Sequence, residues 1–276
     1  MIAWRSLQSE VLKVKTTRLW WILALVLFGY VAFIAALLAG LFGGLGDQLA
    51  ADPDAPQLPA GTLPPIVYSV ATAIGYVFPV LLGALATTGE FRHQTLTPTF
   101  LATPRRNVVL GAKVTVGLLV GAFFGVVALV GSMGLGAPIL AATGVDPVLD
   151  DPDTWALAAR IVLAMAIWAA LGVGLGVLVP NQVAVIVIVL AFTQFLEPIL
   201  RLGASIWDWT AQLGRFLPGA ASDALVGSSI FTSLGGASAG TTVAPLEWWQ
   251  GGLVLAAYAA VLVVIGAVTT WRRDVT

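Results

Sequence analysis

The chain has 276 residues, of which 59% are hydrophobic and only 10% charged, and its formal net charge is −1. Soluble domains carry roughly 25% charged residues, so this composition excludes a water-soluble fold and indicates a membrane protein. A nearly neutral chain gives no electrostatic reason to expect nucleic acid as a partner. The lack of cysteine and the single histidine exclude disulfides, thiol catalysis and multi-histidine metal sites.

Residues 1–18 predict an amphipathic helix that lies in the membrane interface. Trp4, Leu7 and Val11 recur at helical spacing, while Glu10 and Lys13 fall elsewhere on the helical wheel. The segment mixes charged and apolar residues and leads into a long uncharged run. We therefore expect this segment to be retained rather than cleaved as a signal peptide.

Long uncharged runs predict an all-α protein with six membrane-spanning helices, since about 20 apolar residues are needed to cross a bilayer. Pro79 predicts a kink in the second span, and Gly117, Gly121 and Gly125 predict that one face of the third span packs closely against a neighbour. The predicted spans are 20–42, 66–88, 108–131, 155–179, 183–202 and 248–271.

The basic residues decide between six and seven spans. Residues 224–246 lack charge but are rich in Gly, Ser and Thr. Counted as a span, they would place Arg272 and Arg273 on the side opposite the N-terminal lysines. Six spans put both termini and the basic stretch 89–113 on one side, so the positive-inside rule predicts six spans with cytoplasmic termini. Residues 203–247 then form an extracellular loop with short helices or a shallow re-entrant segment.

Residues 89–113 are the longest polar interruption in the first two-thirds of the chain, and they predict a short helix across the ends of the second and third spans. Thr97 is typical of a helix N-cap and Pro98 of the first helical position. Thr103 precedes Pro104, and a residue before proline resists helical geometry. The sequence therefore predicts a helix that begins at Thr97 and ends at Thr103.

This short helix is expected to present Phe100 and Leu101 to water, which favours contact with a partner or a membrane surface. Glu90 is the only acid in the stretch. We expect it to form a structural or coupling ion pair with Arg92, Arg106 or a basic residue of the N-terminal helix.

Glu197 and Arg201 lie four residues apart on one helical face, in the order that favours an ion pair. One interpretation is a salt bridge near the outer interface, because ionisable groups close to lipid need a partner. The other adds Gln194, one turn earlier, and predicts a polar stripe along a substrate pathway. The sequence leaves both interpretations open.

These features together resemble the ABC-2 type transporter permeases. The amphipathic N-terminal segment with its aromatic entry into the first span is similar to theirs, as is the count of six spans. The resemblance extends in order along nearly the whole chain through short motifs at residues 90–92 (EFR), 95–99 (TLTPT), 102–106 (ATPRR), 179–182 (VPNQ), 197–198 (EP) and 217–220 (LPGA).

The resemblance implies a permease subunit that exports an amphipathic, drug-like or lipid-like substrate, as in multidrug or antibiotic efflux, across a bacterial cytoplasmic membrane. Two permeases would pair as a homodimer or heterodimer, and each would bind a separate ATP-binding subunit that holds ATP and Mg²⁺. The short helix would be the coupling helix. The residues expected to contact the ATP-binding subunit are Thr97, Pro98, Thr99, Phe100, Leu101, Arg105, Arg106, Glu90 and Lys13.

The chain itself is not expected to hydrolyse ATP, because none of Lys13, Lys15 and Lys113 lies in a Walker A sequence. The alternative function is an ion-coupled or passive transporter that works through Glu197 and Arg201 without an ATPase subunit. A membrane-embedded enzyme ranks last, because the sequence offers no paired carboxylates and no nucleophile with a base.

Overall fold

The computed structural model of the chain describes residues 2–45, 61–204, 208–228 and 244–271. These ranges contain helices and no strand, which confirms the predicted all-α class. Two π-helical segments, Phe192–Leu196 and Ala267–Trp271, occur within the last two spans. The α-helices are α1 (Ile2–Thr16), α2 (Leu19–Gly44), α3 (Leu63–Ala73), α4 (Val77–Arg92), α5 (Leu96–Ala102), α6 (Arg106–Ala142), α7 (Pro152–Leu178), α8 (Gln182–Ala191), α9 (Glu197–Ala204), α10 (Asp208–Gly214), α11 (Pro218–Val226) and α12 (Trp248–Gly266).

Six segments of the described chain are long and apolar enough to cross a membrane, which indicates a multi-pass membrane protein. Each predicted span overlaps one of them. Residues 229–243, on which the seven-span alternative depends, lie outside the described residues, as do Arg272 and Arg273. The six segments are Leu19–Gly44, Leu63–Arg92, Arg106–Ala142, Pro152–Leu178, Gln182–Ala204 and Trp248–Trp271.

The third span is longer than predicted. Its helix, α6, runs to Ala142, whereas the prediction ended at residue 131. Gly144 has a left-handed φ of 81°, and the Val145 N–H donates to the Leu140 carbonyl at 2.9 Å, which is a glycine-terminated helix end. The prediction used the length that a bilayer requires and overlooked this glycine, which sets where the helix stops.

The second span is broken rather than merely kinked. α3 ends at Ala73 and α4 begins at Val77, with Tyr76 as its N-cap. Pro79 lies in the first turn of α4, where a helix does not need the N–H that proline lacks. If α3 and α4 formed one continuous helix, the proline ring would clash with the carbonyl of Gly75. The irregularity that Pro79 predicts is therefore present, but it is a break in the helix about one turn before the proline rather than a kink at the proline itself.

The fifth span is irregular opposite this break. Pro198 has no N–H, so a carbonyl one turn earlier lacks its helical donor, and the chain adopts π-helical geometry over Phe192–Leu196. The Tyr76 hydroxyl donates to the Thr193 carbonyl at 3.4 Å. The two irregular segments thus face each other inside the bundle.

α7 forms the centre of the bundle and packs against α4, α6 and α12. A Cβ added to Gly121 on α6 would lie 2.5 Å from the Met165 carbonyl oxygen and 2.6 Å from the Ala169 Cβ. On the other side of α7, a Cβ on Gly172 would collide with the Val80 carbonyl of α4. The prediction of close packing at the glycines of the third span is confirmed.

Short helices cover both ends of the bundle. α1 and α5 lie at one end, which we call the α1 end, beside the last turn of α4 and the first turns of α6. α10 and α11 lie towards the opposite end, where α10 packs against α9, the last part of the fifth span. α11 is buried and extends far into the bundle. Its Ser222 Oγ accepts a hydrogen bond from the Trp168 Nε1 at 3.0 Å, and Trp168 lies about 24 Å along α7 from the start of that helix.

Substitution of Gly121 by leucine should destabilise the bundle, because the side chain would push α6 away from α7. Overpacking of this kind costs roughly 1–3 kcal/mol or more. The measurement is the thermal unfolding midpoint of the detergent-solubilised protein. Gly111→Leu on the same helix is the control, since a Cβ there meets nothing within 4 Å. Equal midpoints for the two variants would contradict the packing described for α6 and α7.

Candidate functional site

Four charged side chains from three helices meet at the α1 end, and we call Glu10, Lys13, Glu90 and Lys113 the charge cluster. The Lys113 Nζ lies 2.7 Å from Glu10 Oε2 and 2.9 Å from Glu90 Oε1. The Lys13 Nζ lies 2.5 Å from Glu10 Oε1 and 2.7 Å from Glu90 Oε1. Two carboxylates and two ammonium groups thus balance each other and join α1, α4 and α6.

The charge cluster is largely withdrawn from solvent, since Glu10, Glu90 and Lys113 are each about 5% exposed, at 5%, 6% and 4%. Burial favours the neutral form of Glu10, but the charges and hydrogen bonds of Lys113 and then Lys13 outweigh it and lower the Glu10 pKa. Burial likewise disfavours the charged form of Lys13, and Glu90 and Glu10 outweigh it and raise the Lys13 pKa. The partners of Glu10 and Lys13 therefore stabilise the charged form of each side chain.

The charge cluster adds to the prediction for α1. Glu10 and Lys13 were predicted to lie off the apolar face of this helix, and the structure turns Glu10 into the bundle and leaves Trp4, on the apolar face, 65% exposed. The position of α1 in the membrane interface stays a prediction. Of the partners considered for Glu90, the structure shows a basic residue of the N-terminal helix, Lys13. The structure also pairs Glu90 with Lys113. The sequence did not predict this pair, because the two residues lie on different helices that meet only in the folded protein.

The short helix α5 begins earlier than predicted. It spans Leu96–Ala102, with Thr95 rather than Thr97 at the N-cap and no side-chain cap hydrogen bond. Pro98 therefore lies at the third helical position, where its missing N–H still costs nothing. Thr103 is the C-cap, as predicted.

α5 does not present both of its large apolar side chains to solvent, which corrects the prediction for Phe100. Phe100 packs edge-on against Trp271 at 5.3 Å between ring centroids, and the Arg106 guanidinium lies 4.9 Å from its ring. Leu96 is fully buried beneath the helix. Leu101 is 79% exposed, so it is the apolar side chain that α5 presents to solvent.

The exposed side chains around Leu101 form what we call the α5 surface. Thr97, Pro98 and Arg105 are exposed next to it, whereas Thr99 is half-buried and donates its hydroxyl to the Thr95 carbonyl at 2.8 Å. Arg106 faces inward instead and donates to the Trp271 carbonyl at 3.2 Å. The predicted contact residues of this segment thus divide into two groups. The first is exposed, and the second, which includes Phe100 and Arg106, packs against the body of the protein.

A cavity of about 440 Å³ lies at the meeting point of the two irregular spans, away from the α1 end. Gln194, Glu197 and Arg201, the residues of the predicted polar stripe, all line it. So do Tyr76 at the break between α3 and α4 and Asp223 on α11. The structure therefore brings the residues of the stripe to one cavity, and the role of this cavity in transport stays a prediction.

The predicted Glu197–Arg201 ion pair is confirmed, with 3.3 Å between Glu197 Oε1 and Arg201 Nη2. Arg201 Nη1 also lies 2.7 Å from Asp223 Oδ2. The backbone N–H of Gly219, in the first turn of α11, donates to Glu197 Oε1 through a short hydrogen bond. Two carboxylates therefore hold one guanidinium between them, and a helix N-terminus stabilises the Glu197 carboxylate.

Sequence reasoning missed the residues that the fold adds to this network. Asp223, Gly219 and Tyr76 come from other elements, and no spacing rule connects them to Glu197. A signal was present at Gly219, because it lies in the LPGA motif that carries part of the family resemblance. A Cβ at Gly219 would collide with Arg201 and Glu197, so the network leaves no room for a side chain there.

Within the described ranges, no group of three or more His, Asp or Glu side chains is placed to hold a metal ion. Comparison with known proteins adds no assignment, because no family model and no curated protein matches this sequence.

Lys113→Met should destabilise the protein strongly, because it removes one of the two cations of the charge cluster and leaves Glu10 and Glu90 buried without it. Breaking a buried pair in this way costs roughly 3–5 kcal/mol. Urea or thermal unfolding in detergent measures the change. Lys15→Met is the control, since Lys15 is exposed on α1 and takes no part in the charge cluster. A loss below 1 kcal/mol for Lys113→Met would contradict the importance of the cluster.

The docking of α1 should depend on pH at both extremes. The Glu10 pKa is lowered in the folded state, so its stabilisation is present above the ordinary value of 4.5 and is lost as pH falls through the folded value. The Lys13 pKa is raised, so its stabilisation is present below 10.5 and is lost as pH rises through the folded value. Hydrogen exchange of the α1 amides, corrected for intrinsic rates, should show constant protection between these limits and loss beyond them. Loss of protection near pH 7 would contradict this.

Proposed function

We propose that the chain is the permease subunit of an ATP-driven exporter of the ABC-2 type, which moves an amphipathic substrate out across a bacterial cytoplasmic membrane. One observation carries the proposal. α4 is a single helix of 16 residues whose last turn places Glu90 in the charge cluster and whose first turn adjoins the cavity at Tyr76 and Phe78. It spans about 24 Å and links the two candidate sites directly.

The α5 surface is suited to receive force from a separate subunit. Leu101 offers an exposed apolar side chain, and Leu96 and Phe100 fix the helix against the body of the protein. The chain between α4 and α6 is short, so a push on α5 moves the ends of both spans. The charge cluster adds α1 to the same moving unit.

The parts that the proposal places outside this chain follow from the family resemblance. ATP and Mg²⁺ belong to an ATP-binding subunit on the α1 end, which is the cytoplasmic side in this proposal. A second permease copy and lipid cover the exposed apolar faces, such as that of the fifth span, of which only 22% is buried. Export, rather than uptake, is the direction of transport.

A second function has a specific observation in its favour. Glu197 is a buried acid that lines a cavity within a membrane-spanning segment, a position where carboxyl groups often serve ion-coupled transport. This alternative needs no ATPase subunit and no role for the α5 surface. The two functions therefore differ in what a change on α5 should do.

Leu101→Asp should abolish stable binding of the ATP-binding subunit, because it places a charge at the centre of the apolar contact. Burial of an unpaired charge in an apolar contact costs more than about 1.4 kcal/mol, so the affinity should fall by more than about tenfold. The measurement is co-purification of an ATP-binding subunit with the tagged permease after co-expression. Phe100→Asp is a poorer choice, because Phe100 also packs against Trp271 and Arg106.

Leu149→Asp is the matched control for this experiment. Leu149 is an exposed leucine on a loop at the opposite end of the bundle, 38% accessible, so its replacement should leave co-purification unchanged. Retention of the subunit by Leu101→Asp at the wild-type level would contradict the assignment of α5 as the docking helix.

A further inference from the structure

One carboxylate oxygen of Glu197, a residue that lines the cavity, has no hydrogen-bond donor among the described residues. Glu197 is 2% exposed, and its Oε1 accepts hydrogen bonds from Arg201 and from the Gly219 N–H. Its Oε2 is buried, and none of the described residues donates a hydrogen bond to it. A buried carboxylate oxygen left in this state costs the full desolvation of a charged acceptor, so a donor from outside the chain would be strongly favoured at this point.

The charges around this oxygen favour a cation as that donor. Among the described residues that line the cavity, Glu197 and Asp223 contribute two negative charges, and Arg201 contributes one positive charge. The guanidinium of Arg201 is already directed at both carboxylates, at 3.3 Å and 2.7 Å. An incoming anion would have to displace one of these acids, whereas a cation would complete the charge balance.

Aromatic rings line the rest of the cavity. Tyr30 and Phe78 lie 6.4 Å apart between ring centroids, and Tyr76 stacks on Trp168 at 4.4 Å. Rings of this kind bind ammonium groups through their faces and also accept alkyl chains. Tyr30 is 47% exposed and Leu190 is 39% exposed, so the cavity opens sideways between α2 and α8 towards the apolar surroundings of the bundle.

We propose that this cavity binds an amphipathic ammonium compound, whose protonated nitrogen donates a hydrogen bond to Glu197 Oε2 and whose apolar chain extends out between α2 and α8. The inference rests on the proposed function, because it names the substrate class of the exporter. A volume of about 440 Å³ suits a head group with the first part of its chain rather than a whole lipid.

A head-group series on the unaltered protein tests the inference. The probes are N,N-dimethyloctylamine, octanol and octanoate, which share one alkyl chain, and the amine is protonated at pH 7 as lysine is. Binding is measured by isothermal titration calorimetry in nanodiscs, with empty nanodiscs subtracted. The amine should bind at least 10-fold more tightly than octanol and octanoate. Octanoate or octanol binding as tightly as the amine would overturn the inference.

Glu197→Gln then tests the atom itself. The substituted side chain keeps the shape and the acceptor towards Arg201 and Gly219, but it replaces Oε2 by an amide N–H₂ that repels the ammonium donor. Amine affinity should fall about 10- to 100-fold, as expected for a lost hydrogen bond to a charged group. Asp150→Asn, which removes an exposed acid from a loop, is the control and should bind as the wild type does.

The two experiments separate this inference from the proposed function. Neither uses an ATP-binding subunit, so failure to bind the amine would leave the docking role of α5 intact. Conversely, the absence of a partner subunit would not change the head-group order. If Glu197→Gln does not fold, the series on the unaltered chain still decides the matter. Unchanged amine affinity in a folded Glu197→Gln protein would overturn the inference.

Discussion

The burial of Lys113 against Glu10 and Glu90 at the α1 end, with the half-buried Lys13 beside them, is the constraint on which the rest of the structure depends. Each of these charges alone would cost several kcal/mol to withdraw from water, so the four side chains must stay together. Because Glu10 and Lys13 come from α1, Glu90 from α4 and Lys113 from α6, this requirement fixes three helices relative to one another. α5 connects two of them and is therefore held in place at both ends. A force on α5 would be passed to α1, α4 and α6 as one body.

The rest of the bundle combines close helix–helix contacts with two places where a membrane-spanning helix is interrupted. α7 packs so closely against α4 and α6, through Gly172 and Gly121, that there is no space for a side chain at either contact. By contrast, the break before Val77 and the π-helical segment before Pro198 interrupt two neighbouring spans at the same place. The cavity lies between these interruptions. In the proposed function, a stiff α4 transmits movement from the α1 end to the part of the membrane domain that is able to change shape.

Local features of the structure were largely predictable from the sequence, and long-range ones were not. The uncharged runs together with the positions of the basic residues predicted six spans, the four-residue spacing predicted the Glu197–Arg201 pair, and Thr103 before a proline predicted the end of α5. Local features also predicted Phe100 to be exposed. This was wrong because Trp271, near the far end of the chain, packs against Phe100, and such a long-range contact leaves no local pattern in the sequence. Likewise, Asp223 joins the cavity only because α11 folds back into the bundle, and no periodicity in the sequence reports that.

The most direct test of the account is transport by the purified chain in liposomes, with and without its candidate ATP-binding subunit. The account predicts that vesicles containing both proteins accumulate the protonated amine probe only when ATP is supplied on the α1 side. It also predicts that the chain alone does not drive uphill movement under a proton or sodium gradient, because the α5 surface then has no subunit to move it. Full transport by the chain alone on an ion gradient would contradict the account and favour the ion-coupled transporter.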